Sequence, residues 1–462
     1  MNIRLLALFS VLLIWGCSED GNEAPPPEVN FTTQQAAISA DNESTELRLV
    51  FSRAVSSGGQ VVVNWQSDGL VYGEENDFYT VPASDATNAV ALEYAAGEEA
   101  VSFEVRKGNG LNIQEDLEVT FSISDPEGFI AGTQNSVEVI FGENFIAESG
   151  LIAFDAGGAD FDFINYVYLS KNQLTSVDKK TWDLGFYNGD GYNVILNSAA
   201  YVMARPLDKT DLTSVSAADT AGFGFQMVIP QFDPTLGASA WVDSPDGDLS
   251  KTAIGDISAT SDDSPVFIIK RDGENRNWKK VKVFQSGDAY EIQFADIDSE
   301  DISSTTIDKS TAHNFVHFDL DNGVVSSEPE KEFWDIQYGS FTELFPFGGP
   351  GVTIPYGFKD FITINRYNTE AALVMEEDLA YENINLSDME TITFDSVIDV
   401  IGENWRQGGG PNAQPSLLDD RYFILKDSEG NYYKLRFTQL TSSTGERGKA
   451  EFQYKLIDLG TL

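Results

Sequence analysis

From residue 29 onward the chain is a succession of short runs rich in Val, Ile, Phe, Tyr and Thr, separated by Gly, Asn and Asp. This is strand-and-turn composition. Val101-Ser-Phe-Glu-Val105 and Glu118-Val-Thr-Phe-Ser-Ile-Ser124 alternate apolar with polar residues, as half-buried antiparallel strands do. Gln60-Val-Val-Val-Asn-Trp65 is a third strand-like run, without that alternation, and no long amphipathic helical pattern interrupts the series. The pattern predicts an all-β protein: an amino-terminal β-sandwich followed by two antiparallel β-rich domains.

The two domains follow from an internal repeat, the strongest organisational signal in the chain. Tyr166-Val-Tyr-Leu precedes Trp182-Asp183-Leu184-Gly185-Phe186, and Phe315-Val-His-Phe precedes Trp334-Asp335-Ile336-Gln337-Tyr338. Each Trp-Asp pair leads to a strand ending in Asn, Val194–Asn197 and Ile362–Asn365. Val266–Gly273 then corresponds to Tyr422–Gly430, and Glu291–Phe294 to Glu451–Tyr454. The offsets grow from 149 at Tyr166 to 160 at Glu291, as in a duplication with loop insertions. The divisions expected are 1–16, 17–28, 29–146, 148–305 and 311–462. Trp182 and Trp334 are expected to anchor cores, with Asp183 and Asp335 accepting from turn amides.

The chain of 462 residues has 29 Lys and Arg against 74 Asp and Glu, a net charge of −45. Nucleic acid is excluded as a partner, because phosphates need neutralising cations. One cysteine and two histidines leave no internal disulfide, no multi-thiolate metal site and little His-dependent catalysis. No Ser/His/Asp arrangement, P-loop or His-Cys metal spacing is present, so an enzyme is not expected.

The one cysteine has another use. Arg4 precedes an apolar run, Leu5 to Trp15, too short to span a bilayer and of signal-peptide length. Ile14-Trp15-Gly16-Cys17 resembles a bacterial lipoprotein signal, which implies that Cys17 carries the lipid and anchors the chain in the outer membrane. Ser18-Glu19-Asp20 resembles the export signal of surface lipoproteins, and Pro/Gly-rich residues to Glu28 form a tether. Surface exposure is expected, with a periplasm-facing location as the alternative.

Residues 29–146 resemble the Calx-β family of immunoglobulin-like sandwiches. The resemblance rests on Glu74-Glu75-Asn76-Asp77-Phe78, the turn Ala96-Gly97-Glu98-Glu99, the strand after it, and Gln114–Val119. It implies a possible calcium site at Glu74, Glu75, Asp77 and Asp116, since a hard cation gathers six to eight oxygens. The alternative is a stalk with solvated loop acids.

The repeat landmarks resemble the HmuY family of haemophore-like surface lipoproteins. The closing hairpin, Arg421-Tyr-Phe-Ile-Leu425 with Gly430-Asn-Tyr-Tyr-Lys-Leu-Arg-Phe437, carries the resemblance furthest. It implies a ligand, haem or a haem-like molecule, held between loops and passed to an outer-membrane receptor. Family ligation comes from the middle hairpin and from the loop before the closing strand. Here that loop, Trp405–Pro415, has no His or Met, and the middle segments offer only Met227 and Met389.

His313 and His317 are about 13 Å apart if the segment is a strand, too far for one iron. His317 also occupies an aromatic sheet position, matched to Tyr168 by the repeat offset. The stretch Phe341–Gly351 reads as a long apolar loop whose Phe341, Phe345 and Phe347 can grip a flat ligand or a partner protein. The function expected is a surface lipoprotein that binds haem or a haem-like molecule for uptake. The alternative is a non-haem binding or adhesion lipoprotein for a glycan, a protein or another nutrient.

Overall fold

Period-two alternation in the sequence becomes the burial pattern of the strands. In Gly59–Ser67 the side chains of Val61, Val63 and Trp65 are buried, and in Leu117–Ile123 those of Val119, Phe121 and Ile123. The computed structural model describes residues 26–38, 43–111, 117–124, 128–142, 145–223, 237–273, 276–347, 349–408, 415–442 and 444–458. Among them the only helical elements are short 3-10 turns. The all-β expectation is borne out.

Residues 28–141 form two facing five-stranded sheets around one apolar core. Glu28–Phe31 pairs in one sheet and Gln35–Ile38 in the other, so the first ten residues staple the two layers. The acidic stretch at 74–77 closes on itself: Val71 N–H donates to Asp77 Oδ2 at 2.7 Å and Asn109 N–H to the Glu74 carbonyl at 2.8 Å. Among the described residues no three His, Cys, Asp or Glu side chains gather as metal ligands, and Asp116 lies outside them. Calcium is therefore not carried forward. Cys17, the signal core and most of the tether also lie outside the described residues.

The remaining chain does not fold repeat by repeat. Phe163–Tyr168 of the first repeat pairs antiparallel with Ile336–Pro346 of the second, and Phe315–Asp319 of the second pairs with Leu184–Tyr187 of the first. The exchange begins one strand earlier: Ser149–Ala153 pairs with Glu451–Asp458, and Ser303–Ile307 with Ala289–Asp296. Gln173–Asp178 and Gly323–Val325 follow their own hairpin partners across. Each repeat thus supplies three strands to sheets built by the other.

Two like units result, each a four-stranded sheet beside a five-stranded one. The stretches 148–305 and 311–462 do not each close a unit, and Ser303–Ile307 plays the part in the second repeat that Ser149–Ala153 plays in the first. Core composition shows the same mixing. Ile307, Phe318 and Leu320 pack with Leu184 and Phe186, while Ile152, Val167 and Leu169 pack with Ile336 and Tyr338.

Candidate functional site

The Trp-Asp landmarks mark where the exchanged strands are fastened. Asp183 N–H donates to the Phe318 carbonyl at 2.9 Å and Asp335 N–H to that of Val167 at 2.7 Å. The carboxylates accept in return, Asp183 from Leu320 N–H at 2.9 Å and Asp335 from Leu169 N–H at 2.8 Å. Asn197 Nδ2 donates to the carbonyls of Lys179 and Trp182, both at 2.8 Å. Asn365 Nδ2 repeats this with Lys331 and Trp334, both at 2.7 Å. Both carboxylates do accept from amides, but those amides belong to the other repeat.

Between the fasteners lies a cavity of about 110 Å³ whose walls come from both repeats. Tyr166 and His317, Trp182 and Trp334, and Leu196 and Ile364 are matched positions that line it together. His317 stacks on Trp182 with ring centroids 3.9 Å apart and planes 3° from parallel, and its Nδ1 is 2.6 Å from Ser327 Oγ. Tyr166 meets Trp334 edge-on at 5.1 Å. His317 opposes Gly185 as Tyr166 opposes Gln337, so the structural match of His317 is Tyr166 rather than Tyr168.

Glu328, Asp243 and Arg366 also line the cavity, each surrounded by protein while keeping some accessible surface. Burial pushes the Glu328 carboxyl up to about 8, against the pull of the Phe315 N–H and of Arg366. Burial likewise lifts Asp243 to about 6, against the Leu196 and Ala253 N–H groups, and lowers His317 to about 3.

The Glu328 shift has a signed consequence. Its ordinary value is 4.5, so its contribution to stability is complete below that pH and is lost as pH rises through about 8. Glu328→Gln is expected to flatten stability over this interval, by an amount on the order of a few kcal/mol. Denaturant titrations at several pH values check it; parallel curves for the two proteins would refute it.

The second candidate place is the long hairpin Ile336–Pro346 and Thr353–Ile364. Phe341 through Pro346, read above as loop, is strand: each of its residues pairs across with one of residues 353–358. Phe341 stacks on Phe361 at 4.6 Å, Phe361 touches Phe358 at 6.1 Å, Phe358 meets Tyr356 at 5.0 Å, and Tyr356 meets Phe345 at 5.6 Å. This row of rings runs from the buried Phe341, at the cavity wall, to Phe345, which is 41% exposed. Phe347 closes the row's end of the strand, its N–H donating to the Val352 carbonyl at 3.0 Å.

The segment after Gly402 lies along the same hairpin. Gly402 and Ile362 exchange backbone hydrogen bonds of 3.0 and 3.1 Å, and Arg406 donates to the carbonyls of Asp360 at 3.1 Å and Lys359 at 2.5 Å. Trp405 is buried and stacked on Phe437 at 4.2 Å. Residues 402–408 are thereby held against the hairpin.

Of the residues singled out from sequence, Phe341 and Phe345 share the hairpin face, and His317 lies in the cavity instead. Met389 is a core side chain in the turn Leu386–Glu390, packed with Tyr381, Tyr422 and Ile424, and is removed as an iron ligand. Met227 lies outside the described residues. Sequence reasoning missed Arg366, Glu328 and Asp243. One signal was present: Arg366 follows the landmark Asn365, where the first repeat has Ser198 after Asn197.

The model of the HmuY protein family matches residues 162–454, more than half of the chain and across both repeats. The chain belongs to the HmuY family. The family is one of surface-associated or extracellular binding proteins rather than enzymes. No curated protein matches the chain in sequence.

Among solved structures, the chain is similar to a protein of Bacteroides vulgatus ATCC 8482 described as HmuY-like and haem-binding. Identity is 11%, over 68% of this chain and 94% of that one, with a TM-score of 0.18. The apo HmuY analog of Tannerella forsythia, TFO, is 18% identical over 30% of this chain and 88% of its own, at a TM-score of 0.17. The apo Calx CBD1 domain is 16% identical over 26% of this chain and 99% of its own, at 0.21. At such scores the overall superposition is loose. Among the described residues of this HmuY-family chain, no helix is long and apolar enough to cross a membrane.

Proposed function

We propose that this HmuY-family chain is an outer-membrane surface lipoprotein that takes a flat apolar ligand, haem or a haem-like molecule, on the aromatic face of its long hairpin and delivers it to a receptor. The observation that carries this reading is the row of rings ending in exposed Phe345, with the 402–408 segment held beside it. Stacking on such a face removes apolar ligand surface from water at roughly 25 cal/mol per Å². The Cys17 signal supports lipid anchoring, and the net charge of −45 suits a self-repelling, soluble ectodomain.

A non-haem ligand is the second reading, and one observation favours it. The hairpin strands and residues 402–408 contain no His or Met. Haem on this face is therefore held by its ring rather than by those two axial donors.

Titration of residues 28–462 with haemin and with metal-free protoporphyrin, followed by Soret absorbance, separates the readings. Both are expected to bind, and Phe345→Ser with Phe358→Ser to weaken both at least tenfold. Absence of any Soret change leaves the non-haem reading; unchanged affinity in the double variant moves the site elsewhere.

A further inference from the structure

The cavity between the repeats is too small for a porphyrin and is chemically unlike the hairpin face. Its 110 Å³ is somewhat below the about 150 Å³ that accepts a benzene ring, so it suits four or five carbon atoms. Its walls are mostly apolar, and the two indoles that line it have Nε1–H groups with no hydrogen-bond partner in the protein.

Among the described residues Arg366 is the one Lys or Arg at this wall. Its guanidinium has five N–H donors, and the hydrogen bond it makes is from Nη2 to the Gly247 carbonyl at 3.1 Å. It sits over the Phe315 ring, 5.2 Å from the centroid, and among the described residues it forms no ion pair. The nearby acids are engaged with backbone. Asp243 accepts from Leu196 N–H at 2.6 Å and Ala253 N–H at 2.8 Å, and Glu328 from Phe315 N–H at 3.4 Å.

Gly247 keeps the space beside the guanidinium. Its φ is +76°, and a Cβ there would stand 3.0 Å from Arg366 Nη2. The matched position in the first repeat is Ser198, so a cavity whose aromatic walls come in matched pairs carries its positive charge on one side only. A cation so placed, with donors to spare beside an apolar chamber, favours a planar carboxylate held by two parallel hydrogen bonds.

We propose that this cavity is a second binding site, for a short-chain carboxylate whose anionic group pairs with Arg366 and whose hydrocarbon packs against Trp182 and Trp334. A single charged wall orients the ligand, and the small chamber sets the limit on chain length.

The test uses sodium isobutyrate and its neutral isostere isobutanol on residues 28–462, with dissociation constants from saturation-transfer NMR. Isobutyrate is expected to bind at least tenfold more tightly than isobutanol, and Arg366→Gln to abolish that difference. The comparison on the unmodified chain decides the matter even where Arg366→Gln does not fold. Equal binding of the two probes, or binding of neither, overturns the proposal. Phe345→Ser with Phe358→Ser is expected to leave isobutyrate binding unchanged, which separates this site from the hairpin; a parallel tenfold loss there would also overturn it.

Discussion

Expressed alone, residues 148–302 and residues 303–462 are each expected to remain unfolded, and expressed together they are expected to recover the fold. Without the second repeat, the sheet edge at Leu184–Tyr187 loses its partner Phe315–Asp319, and Ala289–Asp296 loses Ser303–Ile307. The core around Leu184 and Phe186 also loses Ile307, Phe318 and Leu320, all almost fully buried. At roughly 1.5–3 kcal/mol for each large apolar side chain, that burial alone approaches the net stability of a whole domain, about 5–15 kcal/mol. The second repeat is as badly placed without Ile152, Val167 and Leu169.

The measurement is the amide NMR spectrum and the denaturant transition of each half and of the co-expressed pair. A cooperative transition in either half alone would count against reciprocal exchange. Recovery in the pair is expected because the exchanged strands are held by their ladders and by core burial rather than by the chain link between the repeats.

A second large effect separates the two Trp-Asp corners, which share a backbone and differ in charge. Asp183 is fully buried with Arg271 Nη1 at 3.0 Å and Arg276 against its other oxygen, and Arg271 also reaches Asp321 at 2.7 Å. Lys279 completes the network with Asp321 at 2.5 Å and Asp296 at 2.7 Å. In the other unit, strand register puts Asp427 where Arg271 stands, Tyr433 where Lys279 stands, and Ser170 where Asp321 stands. Among the described residues Asp335 therefore has no cation beside it. Burial raises its carboxyl well above the ordinary range, and Asp427 adds to the rise.

Asp183→Asn is expected to destabilise by about 3 kcal/mol, because it leaves Arg271 and Arg276 without their shared buried carboxylate. Asp335→Asn is expected to change stability by less than about 1 kcal/mol near pH 5, since the amide oxygen still accepts from Leu169 N–H. The pH dependence runs one way. With its folded pKa raised, Asp335 contributes fully below its unfolded value and loses that contribution as pH rises, so Asp335→Asn gains on the parent toward pH 8. Guanidinium unfolding at pH 5 and pH 8 checks both; equal losses in the two variants would refute the distinction.

How much of this was legible can be read from particular residues. Val119, Phe121 and Ile123 announced their sheet face by alternation, because side-chain direction along a strand is local. The Trp-Asp-Asn landmarks announced both the duplication and the amide-accepting role of the aspartates. The hairpin at Phe341–Pro346 was misread because Phe, Leu and Thr crowded before Pro and Gly resemble a loop until the opposite strand is known. Its pairing with 353–358 makes it strand. Met389 and His317 were named for their chemistry, and their burial depends on neighbours distant in the chain.

The sequence by itself determined the all-β class, the recurring landmarks and the family. All of these are written in periodicity, turn residues and motif spacing. Only the tertiary structure decided which repeat each strand joins, and with it the cavity whose walls both repeats supply. The physical reason is that two copies of one strand signature present nearly the same backbone hydrogen bonds and apolar face to either sheet. The exchanged pairing is fastened at Asp183 and Asp335 by amides of the other repeat, and which repeat supplies those amides is a long-range fact that no local pattern records.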